Sequence, residues 1–413
     1  MNTLLLNPSQ IVTIDTNGKH EKRGEEMNSV SPLSDHSVSI DNGTINGFIP
    51  NKNVDKKKYD NVIDLSNKIL LPGLIECHTH SVFAGSRHEE FNMRLNGKSY
   101  EEIALSGGGI NSTVKSVRES SFEELFLGTK PKINRFIEQG VTTLEIKSGY
   151  GLSFYDEIKL LEVIKELNDN YAIDIIATFL GAHTYPPEYQ NDKSKYLEVI
   201  TKEMIPYVKD NSLAEWCDGF CEATAFSVNA MEQIFEAALN SKMKLKLHTD
   251  QFNSMGGIEL ALRMNAKSVD HLEVLNVNDI LELSKSDTVS VLLPGVSYSL
   301  KYNYAPARSL IDSNCAVALA TDFNPGSSHI NNIGFIWSLA AFEMGMKTNE
   351  IISAYTINSA KALDISDYTG SLEVGKSADF AVFDVDDLSE LFYDFSNNRN
   401  VMTIKKGEII YEA

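Results

Sequence analysis

Eight short apolar runs alternate with amphipathic stretches through the middle of this chain, and several of the runs end in polar residues. The runs are GLIECHTH (73–80), GVTTLEIKSGY (140–150), DIIATFLGAHT (174–184), CDGFCEAT (217–224), KLKLHTD (244–250), KSVDHLE (267–273), TVSVLLPG (288–295) and AVALATDFN (316–324). Between them lie helical patterns such as SFEELFLGTKPKINRFIEQ, DEIKLLEVIKELNDN and AMEQIFEAALNSK. Strands alternating with helices predict a parallel sheet, and eight such units predict an α/β chain folded as a (β/α)8 TIM-like barrel.

A barrel uses roughly 250 residues, so a chain of 413 has room for a second, smaller unit. Residues 1 to 70 are rich in Asn, Ser, Asp and Gly, broken by extended runs such as SQIVTID and NVIDLSN; DKKKYD (55–60) reads as a solvated turn. Helical sequence follows the eighth run to about residue 365. GSLEVGKSADFAVFDVDD (370–387) and NVMTIKKGEIIYEA (400–413) then read as turn-punctuated strands. The expected organisation is a small β-sandwich built from residues 1–70 and 366–413, with the barrel in residues 71–365.

The first run ends in an unusual way. In LPGLIECHTHSVFAGSR (71–87), His78 and His80 stand two apart. Strand residues i and i+2 project to the same side, and barrels build their active sites at the rim where strands end. His248 lies near the end of the fifth run, His271 near the end of the sixth and Asp322 near the end of the eighth; Glu222 is a further carboxylate on the fourth. Singly, each has an ordinary explanation: a lone histidine is often structural, and an aspartate after a strand often caps a helix. An HxH pair followed by His, His and Asp on later strands is instead a metal-ligand set.

Composition narrows the partners. A formal charge of −20 argues against nucleic acid, which needs a basic face, but not against a small anionic substrate, which needs only local charge. No apolar run approaches the roughly 18 residues of a membrane span, so no membrane partner is expected. MNTLLLNPSQ lacks the basic and apolar regions of a secretory signal. Cys77, Cys217, Cys221 and Cys315 all lie in apolar segments and read as buried, reduced thiols of a cytoplasmic protein. SGGGINST (106–113) offers flexible backbone near the rim, a candidate closing loop, and matches no phosphate-binding fingerprint.

These motifs resemble the amidohydrolase superfamily. LPGLIECHTHSVFAGSRHEEF, SGGGINSTV, TLEIKSGYGL, TFLGAHTYPPEY, HTDQFNSMGG, VDHLE and ATDFNPGSS together resemble the imidazolonepropionases of histidine degradation. The resemblance spans roughly residues 65 to 385, and its most specific parts are AGSRHEEF, KSGYG and GAHTYPPEY; GSLEVGKSADF is common to the superfamily. It implies hydrolysis of 4-imidazolone-5-propanoate to N-formimidoyl-L-glutamate. It implies one divalent metal ion per chain, zinc or iron, held by His78, His80, His248 and Asp322. It implies substrate contacts at Arg87, Tyr150, His183, Gln251 and the Asn324-Pro325-Gly326-Ser327 loop, and a homodimer.

Asp322 is the expected acid–base group, touching the metal and passing a water proton to the leaving nitrogen. His271 is the expected donor to the developing oxyanion. Arg87 suits the substrate carboxylate, although pairing with Glu89 or Glu90 is the alternative. Two-metal relatives use a carboxylated lysine on the fourth strand; CDGFCEAT has none and offers Glu222, which favours one metal. Position 251 is glutamine where some members and the cytosine-type deaminases have glutamate. Gln251 orients by hydrogen bonds and carries no proton, which moves the acid–base work to Asp322 and His271. The competing expectations are an aromatic-base deaminase, another cyclic-amide hydrolase, or a barrel that binds a ligand without catalysis.

Overall fold

The computed structural model of the chain describes residues 2–98, 102–103 and 108–413. Eight parallel strands follow one another in chain order within one sheet. They are β1 (Leu74–Glu76), β2 (Val141–Lys147), β3 (Asp174–Ala182), β4 (Trp216–Cys221), β5 (Lys244–Thr249), β6 (Ser268–His271), β7 (Val289–Leu292) and β8 (Val317–Leu319). The sheet's two edges meet at a parallel bridge between Thr79 and Phe323, and the His80 N–H donates to the Phe323 carbonyl at 2.9 Å. This contact makes the sheet a barrel.

β1 is shorter than the first apolar run. It ends at Glu76, so His78 and His80 lie beyond its last residue. The Thr79 bridge keeps the backbone extended there, and the two imidazoles still reach one another, with ring centroids 5.4 Å apart.

The helical patterns form helices between the strands. Phe122–Ile137 starts with a capping box in which Ser121 and Glu124 satisfy each other's backbone N–H groups. Ser153 caps Phe154–Asn170, and Ser227 caps Val228–Asn240. Their apolar faces, with Leu125, Ile133, Leu161, Ile164, Ile234 and Phe235, pack onto the outward-facing residues of the strands.

The barrel interior is unusual. Branched apolar side chains normally dominate it, whereas here Glu145, Lys147, Asp218, Lys246 and Asp270 are all fully buried. On β2, Glu145 and Lys147 alternate with Leu144 and Ile146, which join the outer apolar core.

The chain termini interleave in two further sheets. One has the order Thr44–Pro50, His36–Asp41, Asn2–Leu6, Asn61–Asp64. The other runs Glu408–Glu412, Asn400–Lys405, Phe380–Phe383, Ile69–Pro72, Gln10–Val12, Pro32–Leu33. The antiparallel pairing of Phe380–Phe383 with Ile69–Pro72 joins the two ends of the chain. Leu5, Val38, Ile40 and Ile45 from one sheet pack with Ile11, Leu70, Phe380, Val382 and Ile404 from the other in a separate core. Ile14, Met27 and Val30, from the excursion between two of these strands, pack instead into the barrel's core.

Candidate active site

Five side chains from four strand ends converge at one mouth of the barrel. His248 is on β5 and His271 is the last residue of β6, while His78, His80 and Asp322 follow β1 and β8. Asp322 Oδ1 lies 3.4 Å from His78 Nε2 and 3.3 Å from His80 Nε2. The rings of His78 and His248 are 4.5 Å apart, and those of His248 and His271 are 5.4 Å apart. Two overlapping triads have ligand atoms all within 4.8 Å of one another: His78–His80–Asp322 and His78–His248–His271. His271, expected as the oxyanion donor, is therefore also within ligand distance. Its backbone φ of 89° and the φ of 49° at Asp322 are positive, a strained conformation that functional sites concentrate.

A second layer orients the imidazoles. His78 Nδ1 donates to Asp270 Oδ2 at 2.6 Å, and His248 Nδ1 donates to Asp218 Oδ1 at 3.1 Å. Each bond turns Nε2 towards the cluster, where the Nε2 atoms of His78 and His248 and Oδ1 of Asp322 are buried with no hydrogen-bond partner among the described residues. Carboxylates behind histidine ligands fix the tautomer in just this way. Lys147 Nζ ties both carboxylates together, 2.9 Å from Asp218 and 3.8 Å from Asp270, and it also pairs with Glu145 at 3.0 Å. Lys246 Nζ lies 3.0 Å from Glu145 Oε1 and 3.1 Å from the Cys77 carbonyl.

The electrostatics fit a cation. Burial drives His80, His183 and His248 towards the neutral imidazole, His248 down to about 3, and neutral imidazole is the form that binds metal. At His78, burial and the Lys147 charge oppose protonation, but the carboxylates of Asp270 and Asp322 outweigh them and raise it to about 9. Burial alone would raise Asp322, yet His78 and His80 hold its carboxyl well below the usual range. The buried cluster contains the carboxylates of Glu145, Asp218, Asp270 and Asp322 against the ammonium groups of Lys147 and Lys246. Carboxylates therefore outnumber ammonium groups there, an excess that a bound cation would offset.

The cluster lies at the floor of a cavity of about 720 Å³. Of the residues expected to meet substrate, Arg87, Tyr150, His183, Gln251, Asn324 and Ser327 line it. Gly326 does not: it lies behind Arg87, close enough that a Cβ there would be 1.9 Å from Nη1. Arg87 is the only lysine or arginine among the described lining residues. It also pairs with Glu90, Nη2 to Oε2 at 2.7 Å, the pairing weighed as the alternative for it. Asn324 Nδ2 donates to Asp322 Oδ2 at 3.0 Å, while its Oδ1 accepts from the N–H groups of Gly326 and Ser327 at 2.8 Å. His183 Nδ1 donates to the Gly149 carbonyl at 2.9 Å, and its ring stacks 5.1 Å from that of His80.

Glu222 follows β4 and stays out of the cluster. Its Oε1 accepts from the N–H groups of Phe252 at 2.8 Å and Asn253 at 3.1 Å, holding the loop that presents Gln251. Ser106 and Gly107 of the expected closing loop lie outside the described residues, while Gly108, Gly109, Ile110 and Asn111 line the cavity.

Sequence reasoning passed over Asp218, Asp270, Lys147, Lys246, Glu145 and Glu273. Glu273 lines the cavity, with Oε1 3.4 Å from His271 Nδ1. One signal was available: in TLEIK and KLKLH, charged residues recur at period two inside otherwise apolar strands.

An amidohydrolase family model matches residues 69–410. The chain is 40% identical over 407 residues to the imidazolonepropionase of Brevibacillus brevis, covering 97% of this chain and 96% of that one. It is 41% identical over 406 residues to the imidazolonepropionase of Geobacillus kaustophilus, covering 97% and 96%. Among solved structures, its fold is similar to a zinc-bound adenosine deaminase from Xanthomonas campestris, with a TM-score of 0.73 at 18% identity over 99% of this chain and 93% of that one. The chain belongs to the imidazolonepropionase family of amidohydrolases.

Proposed function

We propose that this chain hydrolyses the ring C–N bond of 4-imidazolone-5-propanoate to give N-formimidoyl-L-glutamate, using one divalent ion, zinc or iron, held by His78, His80, His248 and Asp322. The observation that carries the reading is the convergence of these groups on the floor of a cavity whose wall has Arg87 as its cationic side chain. When bound, the ion lowers the pKa of water and polarises the target carbonyl.

The protein's own groups supply the rest. Arg87 takes the propanoate carboxylate, preoriented by Glu90. Tyr150, His183 and Gln251 line the space left for the ring, along with Asn324 and Ser327, while Gly326 backs Arg87. Asp322, steadied by Asn324, accepts a proton from the attacking water. His271 donates a hydrogen bond to the carbonyl oxygen as charge grows there. The water oxygen joins the carbonyl carbon, the C–N bond breaks, and Asp322 returns the proton to the departing nitrogen. Gln251 has no proton to give, which favours this assignment and weighs against the deaminase reading.

The division into a sandwich of residues 1–70 and 366–413 and a barrel of residues 71–365 is supported by the separate apolar core between the two terminal sheets. A cytoplasmic location is supported by four free, buried cysteines. Exposed Phe342 and Tyr393 offer apolar surface to the second copy of a homodimer. No helix among the described residues is long and apolar enough to cross a membrane.

The test is turnover followed by loss of the imidazolone chromophore, on protein of measured metal content. Zinc- or iron-loaded protein is expected to consume imidazolone propanoate, and Arg87→Ala to raise KM by more than it lowers kcat. Turnover of guanine or cytosine in its place, or activity at full rate without stoichiometric metal, would overturn the assignment.

A further inference from the structure

Glu157 is a fully buried carboxylate that forms no ion pair among the described residues. Such a group is costly unless hydrogen bonds hold it. Its partners lie at residues 148 to 152, beginning with the Ser148 side chain. Oε1 accepts from the N–H of Gly151 at 2.7 Å and of Leu152 at 2.8 Å, and Oε2 accepts from the N–H of Gly149 at 3.0 Å. Gly149 has φ +103°, and a Cβ on Gly151 would meet Asp156 and Glu157 backbone at 2.4 Å, so the turn folds tightly against the start of the Phe154–Asn170 helix.

The carbonyls of the same turn face another charge. Arg118 Nε donates to the Gly151 carbonyl at 2.7 Å, and its Nη2 donates to the Leu152 carbonyl at 3.0 Å. Nη2 also reaches Glu188 Oε1 at 2.7 Å, in the segment that follows His183. A carboxylate thus gathers the turn's donors and a guanidinium its acceptors. At its apex is Tyr150, whose ring lies 5.4 Å from that of His183 and 5.6 Å from that of His80, and the Gly149 carbonyl receives the His183 Nδ1 hydrogen.

We propose that Glu157 and Arg118 are positioning residues that clamp the 149–152 turn from its two sides and so set Tyr150 and His183 against the substrate ring. This rests on the reading of Tyr150 and His183 as substrate contacts. Neither clamp residue lines the cavity, so each acts through the turn.

The experiment compares Glu157→Gln, Arg118→Met and Tyr150→Phe, singly and combined with Tyr150→Phe, in metal-loaded full-length protein. Glu157→Gln removes the charge and replaces the oxygen that accepts from the Gly149 N–H with an N–H donor, leaving one oxygen for the other two N–H groups. It is expected to speed amide exchange at Gly149, Gly151 and Leu152 and to raise KM for imidazolone propanoate about tenfold, with a smaller change in kcat and unchanged metal content. In the Tyr150→Phe background most of that KM effect should disappear, because both changes act through one contact. Unchanged exchange, or a full KM effect in both backgrounds, overturns the clamp. If Tyr150→Phe alone leaves KM unaltered, the substrate-contact reading fails and the proposal falls with it, while the exchange data still show whether the turn loosened. If Glu157→Gln does not fold, Arg118→Met, at a partly exposed site, decides by the same measurements.

Discussion

The Arg87 guanidinium packs against position 326 so closely that even a methyl group there would stand 1.9 Å from Nη1. Gly326→Ala is therefore expected to displace Arg87 and raise KM for the carboxylate substrate about tenfold, with kcat less affected, in steady-state assays. Asp218 and Asp270 act on the metal only through His248 and His78. Asp218→Asn or Asp270→Asn should each weaken metal binding about 10- to 100-fold in a chelator competition, because the wrong tautomer is left unopposed. Removing Glu222 should instead loosen the loop around Gln251, since Glu222 Oε1 accepts from the Phe252 and Asn253 N–H groups.

At the scale of elements, the strands supply position and the helices hold the loops that leave them. Lys132, on the Phe122–Ile137 helix, donates to the carbonyls of Ser81 and Phe83 at 3.0 Å, and its Nζ lies 3.2 Å from the centre of the Phe83 ring. It thereby pins the segment that runs from His80 towards Arg87. Burial lowers Lys132 to about 7, whereas in an unfolded chain a lysine titrates near its usual value of about 10.4. Between those values the unfolded chain binds more protons, so this group makes stability rise with pH across the window and weighs against folding below it. Denaturant midpoints of the protein and of Lys132→Met, measured from pH 7 to 10, should diverge in favour of the unaltered protein as pH rises. Parallel curves would show that Lys132 keeps its proton.

For the whole molecule, the decisive feature is a polar barrel centre that is electrically incomplete. Glu145, Asp218, Asp270 and Asp322, all buried, outnumber Lys147 and Lys246. Chelation should therefore lower the thermal midpoint as well as abolish turnover, and added zinc should restore both, because an ion that binds only the folded state stabilises it by mass action. Lys147 is the cation that joins the two orienting carboxylates. Lys147→Met should cost on the order of 3–5 kcal/mol in equilibrium unfolding, as expected when a buried ion network loses one partner.

Period and spacing are local properties, and they carried the argument a long way. The eight runs correspond to β1–β8, the amphipathic stretches to the intervening helices, and His78, His80, His248, His271 and Asp322 meet at one rim because strand ends in a barrel must do so. What the linear order leaves open is which buried charges face each other. Asp270 adjoins His271 in the chain yet bonds to His78, and Asp218 reaches across to His248 on the next strand. Lys147, Glu145 and Lys246 look like ordinary strand residues until ring closure turns them inward together. Likewise Gly326 meets Arg87, and Glu157 meets the Tyr150 turn, only once distant segments are packed. Backbone periodicity is written residue by residue; the pairing of charges, and the cost of leaving one unpaired, depends on distances that exist only after the barrel closes.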